Sequence, residues 1–142
     1  MKQIVVKVAF NSKYPEKNYS VMLDEDTYAH LQFELHRAKI CEVGKTLKNP
    51  VKLSDYPTVK SFMRSINRVI FQSVVLFELE YERDRKLIEY TERLYSDDRV
   101  PDKDIEKYRL AFLNSPVELY TEKLFMKDFA RRYVGVTEII SI

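Results

Sequence analysis

Two sets of basic side chains recur at four-residue spacing: Lys60, Arg64 and Arg68, and later Lys123, Lys127 and Arg131, the second set adjoined by Arg132 and Tyr133. Residues four apart share one face of a helix, so each set would form a cationic stripe suited to following a phosphate backbone. Each also has a plainer reading as a solvated face holding salt bridges, and Glu122 and Asp128 stand near the second set. The first set has no acid in its own stretch, residues 57–77. Arg131, Arg132 and Tyr133 together suit a small phosphorylated ligand, a second anion-binding reading.

Other constellations carry less chemistry. Gly44-Lys45-Thr46 matches the end of a phosphate-binding loop, but the position that needs the earlier glycine is Lys39, and the chain has only two glycines. His30 and His36 fall on different faces of one helix, and His36 with Cys41 supplies too few ligands for zinc. Asp24-Glu25-Asp26 and the group Asp97, Asp98, Asp102 and Asp104 read as helix caps and a solvated turn rather than a hard-cation site. No serine lies in a nucleophile elbow, and two histidines give a triad little to draw on. A carboxylate-only hydrolase needs no local motif, and nothing in the sequence points to one. The expectation is a protein that is not an enzyme and holds no cofactor or metal.

The elements that position these residues are legible. Ile4, Val6, Val8 and Phe10 alternate along residues 2–10, which reads as a strand, and residues 19–23 read as a second. Asp24 is placed to cap a helix running to about Ala38, with Tyr28, Leu31 and Leu35 inward. Val51 to Leu53 is a brief extended piece. Pro57 to Ser96 contains no glycine and no further proline. Its apolar residues Val59, Phe62, Ile66, Val69, Ile70, Phe77, Tyr81, Ile88 and Tyr95 predict one long helix or two nearly collinear ones, capped by Ser54 or Asp55. Forty helical residues would span about 60 Å, so such a helix must bend, break or pair with another chain. Val74 to Phe77 is apolar on every side and should be enclosed. Pro101 and Asp102 open a third helix with Ile105, Tyr108 and Phe112 inward, and Ser115-Pro116-Val117-Glu118 is a capping box for a fourth. On that helix Val117, Tyr120, Leu124 and Tyr133 line the inner face, with Phe125 and Phe129 beside them, and Gly135 is the stop. Val136 to Ile142 is apolar enough for a strand that can join the N-terminal hairpin.

These elements describe an α+β fold: a small N-terminal antiparallel sheet (a hairpin or an intermolecular ribbon), a long central helix, two C-terminal helices and a C-terminal strand. The 142 residues suit a single domain, 1–142, with a strand-strand-helix portion to residue 56 and a helical portion after it. One cysteine fits a reducing compartment. The opening MKQIVVKVAF is too short and too alternating for a signal peptide, and no apolar run reaches membrane-spanning length. The expectation is a cytoplasmic protein with no membrane partner.

Net charge is only +2, so no global field announces nucleic acid. Its distribution is more telling. Residues 57–77 hold three basic side chains and no acid, while residues 78–98 hold four basic and eight acidic ones. That order opposes the helix dipole, which favours acids at the start and bases at the end. Either a polyanion is met by the basic half, or basic and acidic halves of two central helices pair antiparallel across a dimer.

The stretch YSVMLDEDTYAHLQFEL, followed by SDYPTVKSFMRSINRVIF, resembles the ribbon-helix-helix DNA-binding family over residues 19–77. The resemblance implies a dimeric transcriptional regulator whose paired strands enter the major groove. Asn18, Ser20 and Met22 would then face the bases, and Ser54, Thr58 and Lys60 would lie near a phosphate at the helix N-terminus. The link between the two helices is longer than that family's turn. Residues 2–10 could also pair with 19–23 in the same chain. The leading reading is non-enzymatic binding of double-stranded DNA by an oligomer associating through the central helix, with Arg64 and Arg68 contributing. The alternatives are a protein-interaction or inhibitor module without DNA, and a binder of a small phosphorylated ligand.

Overall fold

The computed structural model describes residues 1–11, 13–40, 47 and 49–142. Among these, strands β1 (Lys2–Phe10), β2 (Lys17–Leu23), β3 (Val51–Lys52) and β4 (Tyr133–Ser141) form one antiparallel sheet in the order β2-β1-β4-β3. The helices are α1 (Glu25–Arg37), α2 (Pro57–Ser65), α3 (Asn67–Tyr95), α4 (Ile105–Leu113) and α5 (Pro116–Arg132). The fold is α+β, with the C-terminal strand laid on the N-terminal hairpin.

Period-two alternation decides which sheet face is buried. Ile4, Val6 and Val8 on β1, Tyr19, Val21 and Leu23 on β2, Val51 on β3 and Ile139 on β4 are all buried. The register aligns them, with Ile4 opposite Val21 and Val6 between Tyr19 and Ile139. The other face is mixed, with Gln3, Lys7, Asn18 and Ser20 among Val5, Ala9 and Met22. There Lys7 Nζ lies 3.1 Å from a Glu138 carboxylate oxygen, and Gln3 Nε2 donates to Ser20 Oγ at 3.1 Å.

Local signals set the helix ends. Asp24 accepts a hydrogen bond from the Thr27 amide at 2.7 Å, the capping role its position predicts. At the other end of α1, Lys39 takes the left-handed conformation, φ +57°. Its amide donates to the His36 carbonyl and that of Ile40 to Leu35, which closes the helix as a Schellman motif. Residues 53–55 make a 3-10 turn, and Tyr56 rather than Ser54 or Asp55 stands before α2, with Pro57 first in the helix. Ser54 and Asp55 are used up in that turn, so neither caps the helix.

Residues 57–96, expected as one long helix or two, form two: the chain breaks at Ile66, whose φ of −103° and ψ of 10° leave the helical range. The cause is local. Ser65 Oγ donates to the Phe62 carbonyl at 2.6 Å, while the Ile66 amide reaches the same oxygen only at 3.3 Å. The break leaves α3 as 29 residues, about 44 Å.

The chain divides into two compact units, one of residues 1–74 and 132–142, the other of residues 75–131. In the first, the apolar sides of α1 (Leu31, Leu35), α2 (Val59, Met63) and early α3 (Ile70, Val74) are buried, as is the inner face of the sheet. In the second, Val75, Leu79, Ile105 and Phe129 are buried, and Tyr90 stacks on Phe112 with centroids 4.5 Å apart.

Several expected core positions lie outside. Phe77, Tyr81, Ile88 and Tyr95 on α3, and Val117, Tyr120 and Leu124 on α5, are all exposed, as are Val69, Leu76 and Tyr108. The α5 side turned inward carries Glu118, Thr121, Glu122, Phe125 and Phe129. Two acids on that side are satisfied by α3 cations, which frees the neighbouring apolar stripe to face out. Helix α5 ends at Arg132, not at Gly135, and Tyr133 already belongs to β4.

Gly135 instead sits opposite Ala9 beside a register shift, with φ +151°, a conformation that side-chain-bearing residues rarely adopt. An added Cβ would meet nothing nearer than Asn67 Oδ1 at 3.9 Å, so the penalty of filling this position is in the backbone. Gly135→Ala is expected to lower stability by about 1–3 kcal/mol in urea unfolding; an unchanged midpoint would contradict that geometry.

Candidate nucleic-acid interface

Lys60 and Arg64 project from α2 and Arg68 from the start of α3, and all three are exposed. Neither helix has an acid in its first turn. Among the described residues none of the three has a carboxylate within ion-pair distance. The inward side of α2 explains their orientation. Val59 and Met63 are buried, which turns Lys60 and Arg64 to the flank and outer side, together with exposed Ser61 and Thr58.

Asn18, Ser20 and Met22 are exposed on the outer face of β2, alternating with buried Tyr19, Val21 and Leu23 as the sequence predicts. One edge of β2 is paired within the chain, from Lys2–Leu23 to Val8–Lys17. A ribbon between two chains would therefore have to form along the other edge. Ser54 is exposed in the 3-10 turn ahead of α2.

The second basic set is dispersed by the fold. Tyr133 lies between the rings of Phe10 and Phe71, and its hydroxyl donates to Asn67 Oδ1 at 2.8 Å. Burial pushes the Tyr133 hydroxyl up to about 12. The Arg132 guanidinium lies 4.6 Å from the Tyr14 ring centroid, a cation–π contact. Tyr133 and Arg132 are thus engaged inside their own unit. Lys123, Lys127 and Arg131 are exposed on α5.

In residues 75–131 the acids and bases meet one another. Arg83 Nη2 donates to Glu122 Oε2 at 2.7 Å with its Nε on the other oxygen, Lys86 Nζ lies 3.6 Å from Glu118, and Arg85 bridges Glu82 and Glu89. Glu122 therefore serves α3 rather than the lysines beside it. Of these, Glu82, Arg83, Lys86, Glu118 and Glu122 border a cavity of about 60 Å³ with Leu79, Phe112 and Phe125, room for a few waters. A paired wall of this kind has no charge left over for a ligand.

Among the described residues no group of three His, Cys, Asp or Glu could hold a metal ion, and no helix is long and apolar enough to cross a membrane. Asp24 is a cap, and Asp97 is held by the Arg99 guanidinium and amide. His30 and His36 are exposed on α1. Gly44-Lys45-Thr46 and Cys41 lie outside the described residues. Sequence reasoning missed the Arg83–Glu122 pair, which joins positions 39 apart with no local pattern to mark it. No family model, curated protein or solved structure matches the chain.

The Arg83 hydrogen bond holds the Glu122 carboxyl below the usual carboxylate range, against a smaller upward push from burial. The unfolded chain then binds more protons than the folded one just below the ordinary glutamate value of about 4.3. Stability from this pair is complete above that value and is lost as pH falls through the depressed one. Glu122→Gln is expected to melt below the wild type at neutral pH, with the gap closing in acid. A gap independent of pH would contradict the ion pair.

Proposed function

We propose that the chain is a non-enzymatic DNA-binding protein, an oligomeric regulator that meets duplex DNA through Lys60, Arg64 and Arg68. The observation that supports this most is that these three exposed cations have no carboxylate partner among the described residues, in a stretch of 21 residues free of acids. A solvated face built for stability would carry its counter-ions, as Arg85 does with Glu82 and Glu89. Lys60 and Arg68 stand near the starts of α2 and α3, where a cation works against the helix dipole, while Arg64 lies in the last turn of α2, where the dipole favours it; a polyanion offsets the cost at the first two. Phosphate contacts of this kind position a protein without reading sequence. Base reading would fall to Asn18, Ser20 and Met22, with Ser54 and Thr58 near the backbone, as the ribbon-helix-helix resemblance implies.

A second reading, a protein-interaction surface, is favoured by the exposed apolar residues of α3 and α5. It concerns residues 75–131 and does not compete for Lys60, Arg64 or Arg68.

The DNA reading has a quantitative signature. Each phosphate contact contributes about −0.9 to the slope of log K against log salt. Replacing Arg64 and Arg68 by alanine is therefore expected to flatten the slope by about 2 while weakening binding to all duplex sequences alike. Binding insensitive to salt, or a slope unchanged in the double variant, would refute this contact.

A further inference from the structure

The apolar residues left outside on α3 and α5 are ordered, and their charges are complementary. On α3, Tyr81, Ile88 and Tyr95 recur every seven residues and are 60%, 59% and 63% exposed. They lie on the side of α3 opposite Leu79, Arg83, Lys86 and Tyr90, the residues that face α4 and α5. The same outer ridge carries Asp84 and Glu92, neither of which has an ion-pair partner among the described residues. Along the helix this ridge spans about 21 Å.

On α5 the side away from Glu118, Glu122, Phe125 and Phe129 shows Tyr120 and Leu124, 64% and 47% exposed, flanked by Lys123 and Lys127. Neither lysine has a carboxylate partner among the described residues. One ridge is therefore apolar and acidic, the other apolar and basic. Both belong to residues 75–131. Because α3 and α5 face each other through Arg83–Glu122 and Lys86–Glu118, their outer ridges point in opposite directions.

We infer that the acidic α3 ridge of one copy docks on the basic α5 ridge of a second copy. Complementary ridges on opposite sides of one unit cannot both be used by a single two-fold pair. The contact is head-to-tail, and repeated copies close into a ring or extend as a filament. Asp84 and Glu92 meet Lys123 and Lys127, while Tyr81 and Ile88 cover Tyr120 and Leu124. The charges select which ridge meets which, and the apolar area supplies the affinity. This inference does not rest on the DNA reading, since Lys60, Arg64 and Arg68 take no part.

Sedimentation of the full chain tests it. The wild type is expected to show a mass that rises with concentration past a dimer and falls back as salt is added. Ile88→Glu, and separately Lys123→Glu with Lys127→Glu, each sit on an exposed ridge and are expected to keep the wild-type circular dichroism. Each alone is expected to run at the monomer mass of 17.0 kDa. Mixed, each still owns the ridge the other lacks, so they are expected to form a 1:1 complex of twice that mass and stop there. A wild type that stays monomeric, variants that still associate alone, or a mixture that forms no 1:1 complex would each overturn the inference.

Discussion

Pairing between β1 and β4 joins the two ends of the chain, and the first compact unit depends on it. Without β4, β1 would have only β2 on one side, and a two-stranded hairpin is marginal in water. With β4 in place, Val6 and Val8 are shut in between two neighbours and Val51 gains a strand to lie against. The ladder accommodates register shifts along β1 and β4, and Gly135 supplies the backbone conformation needed at one of them. Between Leu23 and Tyr133 the described chain rejoins this sheet at Val51–Lys52, and the stretch after it is a long excursion. Chain leaves the first unit along α3 after Val74 and returns at Arg132.

The charges follow that division. The α3 acids Glu82 and Glu89 find Arg85 on their own helix, and the α5 acids Glu118 and Glu122 find Lys86 and Arg83. These pairs are partly exposed and contribute modestly to stability. Their larger consequence is that α5 can turn an acid-bearing side inward and keep Tyr120 and Leu124 outside. In residues 57–77 the opposite holds, because three cations stand where no acid was placed. The contact proposed for a polyanion and the contact proposed for another copy thus fall on separate stretches of the chain.

Much of the fold was legible from residue pattern alone. Alternation in residues 2–10 and 19–23 located both strands of the hairpin and their buried side, and Asp24 announced the start of α1. The strand near Val51 and the final strand were also legible, although β4 begins at Tyr133 rather than Val136. Helical periodicity failed where a helix carries two apolar stripes. On α3 the stripe through Tyr81 and Ile88 resembles a core, yet the buried side runs through Leu79 and includes Arg83 and Lys86, whose charges are met by α5. Only partners distant in sequence decide that choice. Two helices in place of one was among the expectations for residues 57–96, but the position of the break at Ile66 was hidden, since it turns on one serine hydroxyl competing for a carbonyl. The lack of acids around Lys60, Arg64 and Arg68 was plain from the sequence, whereas Tyr133, read both as an inward residue of a helix and as an anion-binding one, is a half-buried residue of β4 whose hydroxyl is bonded to Asn67.

On the DNA reading proposed above, residues 57–68 meet the polyanion and residues 75–131 do not. Titrating the isotopically labelled protein with a short DNA duplex and following backbone amide and arginine side-chain signals tests it most directly. Shifts centred on Lys60, Arg64 and Arg68, with α4 and α5 unmoved, are the expected result. A footprint centred on Lys123 and Lys127, or no footprint at low salt, would contradict the account.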